Sequence, residues 1–442
     1  MKKQQSANHR RDFLKTGTAA VAAGVVATPG LSLARSAHVS GSDSVRVGLV
    51  GCGGRGTGAA IQALNTNSCA VNLVAAGDIF QDRLDGAVEG ITIQHGEKVQ
   101  IPDDQKFVGF DAFEKVLQSD VDLVILTTPP GFRPLHFEKA VEAGKHVFME
   151  KPVAVDAPGV RRVLAANQIA REKDLLVQVG LQRRHEQAYI ETISRLRDGA
   201  IGDINLMRCY WNSGGVWVNP RKDDQTELEY QCRNWYYFNW LCGDHIVEQH
   251  IHNIDVCNWL KGDYPAFAQG QGGREVRTGK QFGQIFDHHM VEFTYPDGST
   301  MLSQCRHIEG CDSNVSEHCQ GSDGWANIGG GRIVDPGGME IFTSAGKRGG
   351  HQEEHHDLFR DLTAGRIPNE GDYGALSTMT SIFGRMATYT GKRISWEDAL
   401  NSDLVLCDVD ALTSMDSPAP VQPDSEGRYP VPVPGKSWDE VL

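Results

Sequence analysis

Through the first 180 residues, short apolar runs alternate with segments of helical spacing. The runs at 45–50, 71–76, 121–126, 147–149 and 175–179 are nearly continuous rather than alternating, the pattern of parallel strands buried on both faces. Between them lie Ala59, Ala60, Ile61 and Leu64 after Thr57, then 110–117, then 153–173, each spaced for a helix with one packed face. Strand and helix taking turns predicts a parallel sheet covered by helices. Residues 82–106 keep neither period and are expected to form an irregular insertion. Beyond residue 185 the pattern changes. A helix is predicted over 189–197, ended at Gly199, and a strand over 204–211. Two alternating runs, 290–295 and 300–304, flank Pro296-Asp297-Gly298 and predict a hairpin. Residues 371–391 read as a helix ended by Gly391, and Ser395 to Asp398 as a capped helix start. From Ser417 repeated prolines predict an extended tail over 417–442. The expected fold class is α/β: a nucleotide-type domain over 45–180, then an α+β domain over 181–400 with a mostly antiparallel sheet.

The first strand runs directly into Gly51-Cys52-Gly53-Gly54-Arg55-Gly56, a Gly-x-Gly-x-x-Gly loop opening a helix. That context makes it a Rossmann dinucleotide fingerprint: Gly51 for the tight turn, Gly53 for close approach to a pyrophosphate, Gly56 for packing of the helix on the sheet. Gly54 and Arg55 complete the loop. Asp78 ends the second strand, at the spacing of the acid that accepts hydrogen bonds from the adenosine ribose and repels a 2′-phosphate. NAD is therefore the expected cofactor, with Arg83 nearby as the feature that pulls the other way.

About 100 residues further, Ala143-Gly-Lys-His-Val-Phe-Met-Glu150-Lys151-Pro152 closes another strand. Glycine loop, Ala-Gly-Lys-His-Val and Glu-Lys-Pro together resemble the Gfo/Idh/MocA oxidoreductases over roughly residues 45 to 400. The resemblance implies that Thr128 and Pro129 line the nicotinamide side of the cleft and that Glu150 and Lys151 contact the cofactor. Gln182, at the end of the sixth strand, is expected to reach the cofactor, and Arg183 or Arg184 the substrate, because ligands bind at the carboxyl edge of such sheets; either arginine reads equally as a surface charge. His136 is read equally as a site residue or as the start of a helix. The family pattern Asp-x-Gly-x-His-x-x-Asp is matched at His252 and Asp255, with Glu248 in place of the first aspartate and His250 in place of the glycine. Glu248, His252 and Asp255 are spaced to share one helix face, where a neutral imidazole can take a hydroxyl proton and a carboxylate can orient it. Lys151 is expected to polarise the same hydroxyl. The expected activity is NAD-dependent oxidation of a sugar or glycoside CH–OH group. Two other readings stay open: a redox-neutral glycoside hydrolase that oxidises, eliminates, hydrates and reduces, and a non-catalytic NAD-binding protein. The second-domain sheet is expected to mediate homo-oligomers.

The chain has 442 residues and a net charge of −14, which disfavours nucleic acid and anionic membranes as partners. Its ten cysteines contain no Cys-x-x-Cys pair, so no metal site is expected and buried free thiols are. His351-Gln-Glu-Glu-His355-His356 lacks the order of a zinc helix and predicts instead a helix through Leu358, Phe359 and Leu362. The aromatic run from Trp235 to Trp240 fits either a sugar platform or core. Arg10-Arg11-Asp-Phe-Leu-Lys, a mildly apolar stretch and small residues before Ala34 and Ala37 predict a twin-arginine signal peptide over 1–37 and a periplasmic or exported protein. No membrane association is expected once that signal is removed.

Overall fold

The computed structural model describes residues 44–346 and 349–440. The twin-arginine segment and both candidate cleavage sites lie outside the described residues.

The first sheet has six parallel strands: β1 (Ser44–Val50), β2 (Ala70–Asp78), β3 (Lys106–Val108), β4 (Leu123–Leu126), β5 (His146–Met149) and β6 (Val177–Val179), in the order β3-β2-β1-β4-β5-β6. Helices α1 (Gly54–Leu64), α2 (Gln81–His95), α3 (Ala112–Gln118), α4 (Arg133–Glu142) and α5 (Ala157–Glu172) connect them. The order reverses between β1 and β4, which opens a crevice at their carboxyl ends. Register makes that crevice a site. Val50 pairs with Gly77 and Leu126, Leu126 with Met149, and Met149 with Val179. The residues that follow, Gly51, Asp78, Thr127, Glu150 and Gly180, therefore emerge along one edge.

The expected insertion over 82–106 is in fact α2, followed by two 3₁₀ turns and β3. Only Leu84, Ala87 and Ile91 of α2 are buried, and Gly86 and Gly90 lie within the helix. Three inward residues in fifteen leave too thin an apolar stripe to read as a period.

The second sheet has nine strands: β7 (Ile204–Ser213), β8 (Phe267–Gly273), β9 (His288–Thr294), β10 (Thr300–His307), β11 (Asn314–Gly321), β12 (Gly324–Asn327), β13 (Arg332–Val334), β14 (Glu340–Thr343) and β15 (Ile394–Ser395). Their order is β14-β13-β12-β11-β7-β10-β9-β8-β15, antiparallel except where β7 meets β10. The predicted hairpin is β9–β10. Burial alternates strictly along β10, so one face is core and the other open.

The helices after α5 are α6 (Gln187–Arg197), α7 (Glu227–Arg233), α8 (Asn239–Cys242), α9 (His245–Glu248), α10 (Ile251–Lys261), α11 (Gly350–Thr363), α12 (Gly371–Thr390) and α13 (Trp396–Leu400). The core face of the second sheet packs on α10 and α12. Helix α11 returns to the first domain, where Leu358, Phe359 and Leu362 join the core around β1 and Leu176. Glu370 then accepts a hydrogen bond from the Val179 amide. Packing thus crosses the boundary expected at residue 180. Beyond α13 the chain is irregular but anchored: Arg162 pairs with Asp410, and Ala419 and Tyr429 are buried. Among the described residues, no helix is long and apolar enough to cross a membrane.

Candidate active site

A cleft of about 650 Å³ runs along the carboxyl edge of the first sheet and is closed on its far side by the second domain. The glycine loop forms its floor. Gly51 has φ +94°, a conformation other residues rarely adopt. A Cβ on Gly56 would sit 1.9 Å from the Gly51 carbonyl and 2.6 Å from Thr127 Oγ1, so only glycine lets α1 start this close to the sheet. A Cβ on Gly53 or Gly54 would meet nothing within 4 Å, because both face the open cleft. The backbone at the start of α1 is therefore bare where a pyrophosphate would lie, with the helix dipole behind it. Asp78 accepts hydrogen bonds from the amides of Cys52 (2.6 Å) and Phe80 (2.8 Å), which fixes its carboxylate at the rim. Burial pushes this carboxyl above its ordinary value, and the two amides pull it back. Bare glycine backbone and a fixed acid beside it fit a dinucleotide with an unphosphorylated ribose.

At the other end Thr128, Pro129, Glu150 and Lys151 line the cleft. Two features there were hidden from sequence. Arg133, 1 % exposed, donates to the Thr128 carbonyl (2.5 Å) and the Glu150 carbonyl (3.1 Å), tying the loop after β4 to the end of β5. Arg55 lies between Glu150 and Glu354 of α11. Burial opposes a charged Glu150, but Arg55 and Lys151 outweigh it and hold the group below its ordinary value. Burial and Glu150 push Glu354 well up. His136 belongs to α4 and also lines the cleft. It hydrogen-bonds Thr128 through Nδ1 (3.2 Å) and stacks on Phe113, and burial with Arg133 lowers it to about 3.

Lys151 reaches across to the second domain, where Nζ donates to the Glu248 carbonyl (2.6 Å) and to Glu248 Oε1 (2.8 Å). His252 lines the same end of the cleft, and its Nδ1 is buried without a hydrogen-bond partner. Burial and the Lys151 charge hold this imidazole well below its ordinary value, so it is a neutral proton acceptor. Lys151, Glu248 and His252 thus combine a cation, a carboxylate and a neutral base in one corner.

The rest of the expected constellation is elsewhere. The helix assumed to carry Glu248, His252 and Asp255 on one face breaks at Gln249 and His250 into α9 and α10. Asp255, 1 % exposed, faces away from the cleft, accepting from Arg184 Nε (2.9 Å), Arg184 Nη2 (2.8 Å) and Ser377 (2.7 Å). Arg184 lies over the Tyr373 ring at 3.8 Å. Arg183 forms a buried pair with Glu317, which also accepts from Asn253 and from Tyr189 (3.0 Å). Gln182 opens a 3₁₀ turn behind the cleft and does not reach its wall. Asp255, Arg183 and Arg184 are therefore corrected from catalytic or substrate contacts to ties within the second domain, and Gln182, whose Oε1 is buried without a hydrogen-bond partner, from a cofactor contact to a residue outside the cleft lining. A strong buried partner takes the charges of Asp255, Arg183 and Arg184 out of reach of a ligand, and spacing alone does not show that partner.

Asp244, His245 and His289 bring ligand-type atoms within 4.8 Å of one another. Asp244 has φ +74° and accepts from the amides of His245 and Phe286 and from the Tyr389 hydroxyl. Protein donors engage both oxygens, so Asp244 pins the start of α9 and with it the position of Glu248.

Comparison with known proteins agrees with this geometry. Residues 45–181 match the GFO/IDH/MocA model, described as "Oxidoreductase family, NAD-binding Rossmann fold". Inositol 2-dehydrogenase of Klebsiella pneumoniae is 27 % identical over 307 residues, 68 % of this chain and 77 % of that enzyme. Inositol 2-dehydrogenase 4 of Saccharopolyspora erythraea is 36 % identical over 219 residues, 50 % of this chain and 54 % of its own length. Among solved structures, scyllo-inositol dehydrogenase of Lactobacillus casei with NAD(H) and scyllo-inositol has TM-score 0.60 at 19 % identity, covering 80 % of this chain and 99 % of that one. Aldose-aldose oxidoreductase of Caulobacter crescentus has TM-score 0.61 at 18 % identity, with the same coverage. At such identities the structures speak for the fold, while the family model speaks for the cleft: residues 45–181 form a Rossmann domain that matches the NAD-binding domain of the GFO/IDH/MocA oxidoreductases.

Proposed function

We propose that this protein oxidises a secondary hydroxyl of a sugar, glycoside or cyclic polyol, with NAD held in the cleft between the domains. The observation that carries the reading is the corner where Lys151, Glu248 and the neutral, unpartnered His252 converge at the nicotinamide end. Bound NAD supplies the hydride acceptor. His252 accepts the hydroxyl proton through a ring nitrogen, Lys151 donates a hydrogen bond to the same oxygen, and Glu248 holds the lysine in place. Relatives named as inositol 2-dehydrogenases support a polyhydroxylated ring as the substrate class.

Arg10 and Arg11 support export by the twin-arginine route and a periplasmic location. There a tightly held cofactor must be recycled in place, by a second carbonyl compound or by the same substrate after elimination. The open face of the second sheet, with Phe267, Met290 and Trp325 exposed, supports assembly of copies through that face. Cell fractionation and light scattering check location and assembly: a cytoplasmic monomer refutes both.

The decisive experiment is a screen of free sugars, cyclic polyols and glycosides, following NADH absorbance and product identity in deuterated water. A ketone with NADH formed, or a reduced second product, is expected for oxidation. Deuterium beside the oxidised carbon of a released sugar assigns the redox-neutral hydrolysis instead. NAD bound with no turnover of any substrate assigns a non-catalytic protein.

A further inference from the structure

The cleft described above has a second wall that the Rossmann domain does not supply. Helix α7 lies across its adenosine end, and Arg233, the last residue of α7, reaches over to the loop after Asp78. Its guanidinium forks onto Asp82 in the first turn of α2, with both N···O distances 3.1 Å, and lies 3.9 Å over the Phe80 ring. Nε donates to Glu229 at 2.8 Å. All three guanidinium nitrogens are therefore engaged by carboxylates, which leaves Arg233 a poor ligand for a 2′-phosphate although it lines the cleft. The Asp82 side chain is 62 % exposed, so the contact adds little to the core of either domain. What it does is close the space beside the ribose-binding acid.

The wall extends from there. The segment before α7 is riveted to its carboxyl end by a reciprocal pair: the Asn219 amide donates to Asn234 Oδ1 (2.8 Å), and Asn234 Nδ2 donates to the Asn219 carbonyl (3.0 Å). This brings Asn219 and Trp217, 47 % exposed, into the lining beside Trp235. The far side of α7 is braced by the C-terminal segment. Thr226 donates to the Met415 carbonyl (2.8 Å), Gln231 to the Val421 carbonyl (2.6 Å) and the Tyr429 hydroxyl to Glu227 (2.5 Å).

We infer that residues 214–235 are a cofactor-retaining wall of the NAD site, latched by Arg233 on Asp82 and Phe80, and that opening this latch limits release of the dinucleotide. The inference rests on the NAD-dependent reading above and adds to it the residues that keep the cofactor in place between turnovers. Arg233 is a positioning residue: it acts by holding α7 against α2.

The test is the rate at which protein loaded with fluorescent etheno-NAD releases it when chased with excess NAD. Arg233→Ala and Asp82→Ala should each accelerate release about tenfold or more, the scale of one lost charged and cation–π contact. The double variant should release no faster than the faster single one, because both remove one latch. Arg233→Lys should fall between, since it keeps the charge but loses the fork. Unchanged melting temperatures separate release from unfolding. Release from Arg233→Ala at the unmodified rate overturns the inference. So does acceleration by Arg233→Ala with none by Asp82→Ala, which would make the arginine a direct cofactor contact. Unmodified protein that binds no dinucleotide overturns the NAD-dependent reading itself.

Discussion

Lys151 and Glu248 join the two domains at the point where the chemistry is proposed, so their pair can be tested for stability and activity separately. At 2.8 Å, with each side chain 10 % exposed, the Coulombic attraction is on the order of 4–6 kcal/mol for an effective dielectric constant near 20. Most of it is offset by the cost of taking both charges out of water. Lys151→Met leaves Glu248 nearly buried with no cation beside it and should destabilise by about 3 kcal/mol. Glu248→Gln keeps the carbonyl contact of Lys151, made at 2.6 Å through the main chain, and should cost less. In Lys151→Met/Glu248→Gln neither charge is stranded, so the combined loss should be smaller than the sum of the two by at least about 1 kcal/mol. Activity should not recover with stability. Turnover on the substrate found by screening should fall about 100-fold or more whenever Lys151 is absent, with NAD still bound. Urea unfolding of the four proteins gives the coupling, and initial rates of NADH formation give the activity. Additive stabilities would remove the pair, and near-normal turnover by Lys151→Met would remove the lysine from the mechanism.

Other consequences follow at the cofactor end and in the buried histidines. Asp78→Ala should weaken NAD binding by about 10- to 100-fold, the range of a lost charge-assisted hydrogen bond, and narrow the gap to NADP; equal NAD affinity by calorimetry rules out the ribose contact. Burial holds His136 at about 3 and His146 and His245 at about 4, below the value of an unfolded histidine. Between those values the unfolded chain binds more protons, so stability should fall as pH drops from 7 to 5, by up to about 2 kcal/mol for each ring. Burial opposes a charged His185, but Asp357 and Glu370 outweigh it and raise it to about 10; its contribution is full below the unfolded value and is lost as pH rises through 10. Urea midpoints at pH 5, 7 and 10 check both slopes; a higher midpoint at pH 5 than at pH 7 contradicts the buried neutral rings.

The parallel sheet and its glycine loop are local in sequence, and so they could be read. Strands β4 and β5 are buried along their whole length, and a run such as Val147, Phe148, Met149 records that directly. Gly56 is fixed first by the Gly51 carbonyl five residues before it, so that spacing carries its role, whereas the approach of Thr127 to both glycines comes from the distant end of β4. Helix α2 was missed because burial of Leu84, Ala87 and Ile91 alone suffices when neighbouring elements supply the rest of the packing.

The proposed catalytic corner divided along the same line. Lys151 and His252 each end or begin a recognisable motif and both reach the cleft. Whether Asp255 does so depends on a break at Gln249 and His250 and on the competing attraction of Arg184, which is 71 positions away in sequence. Arg183 and Arg184 read as free charges because Glu317 and Asp255 come from distant segments. Arg133, Glu354 and Arg233 gave no local signal, since each acts through a partner from another element. Sequence determined what is held by neighbours along the chain: the strands, the turn glycines and the residues at strand ends. Tertiary structure decided which charges are spent on one another and which remain for a ligand, because a carboxylate binds the nearest buried cation wherever the chain brings one.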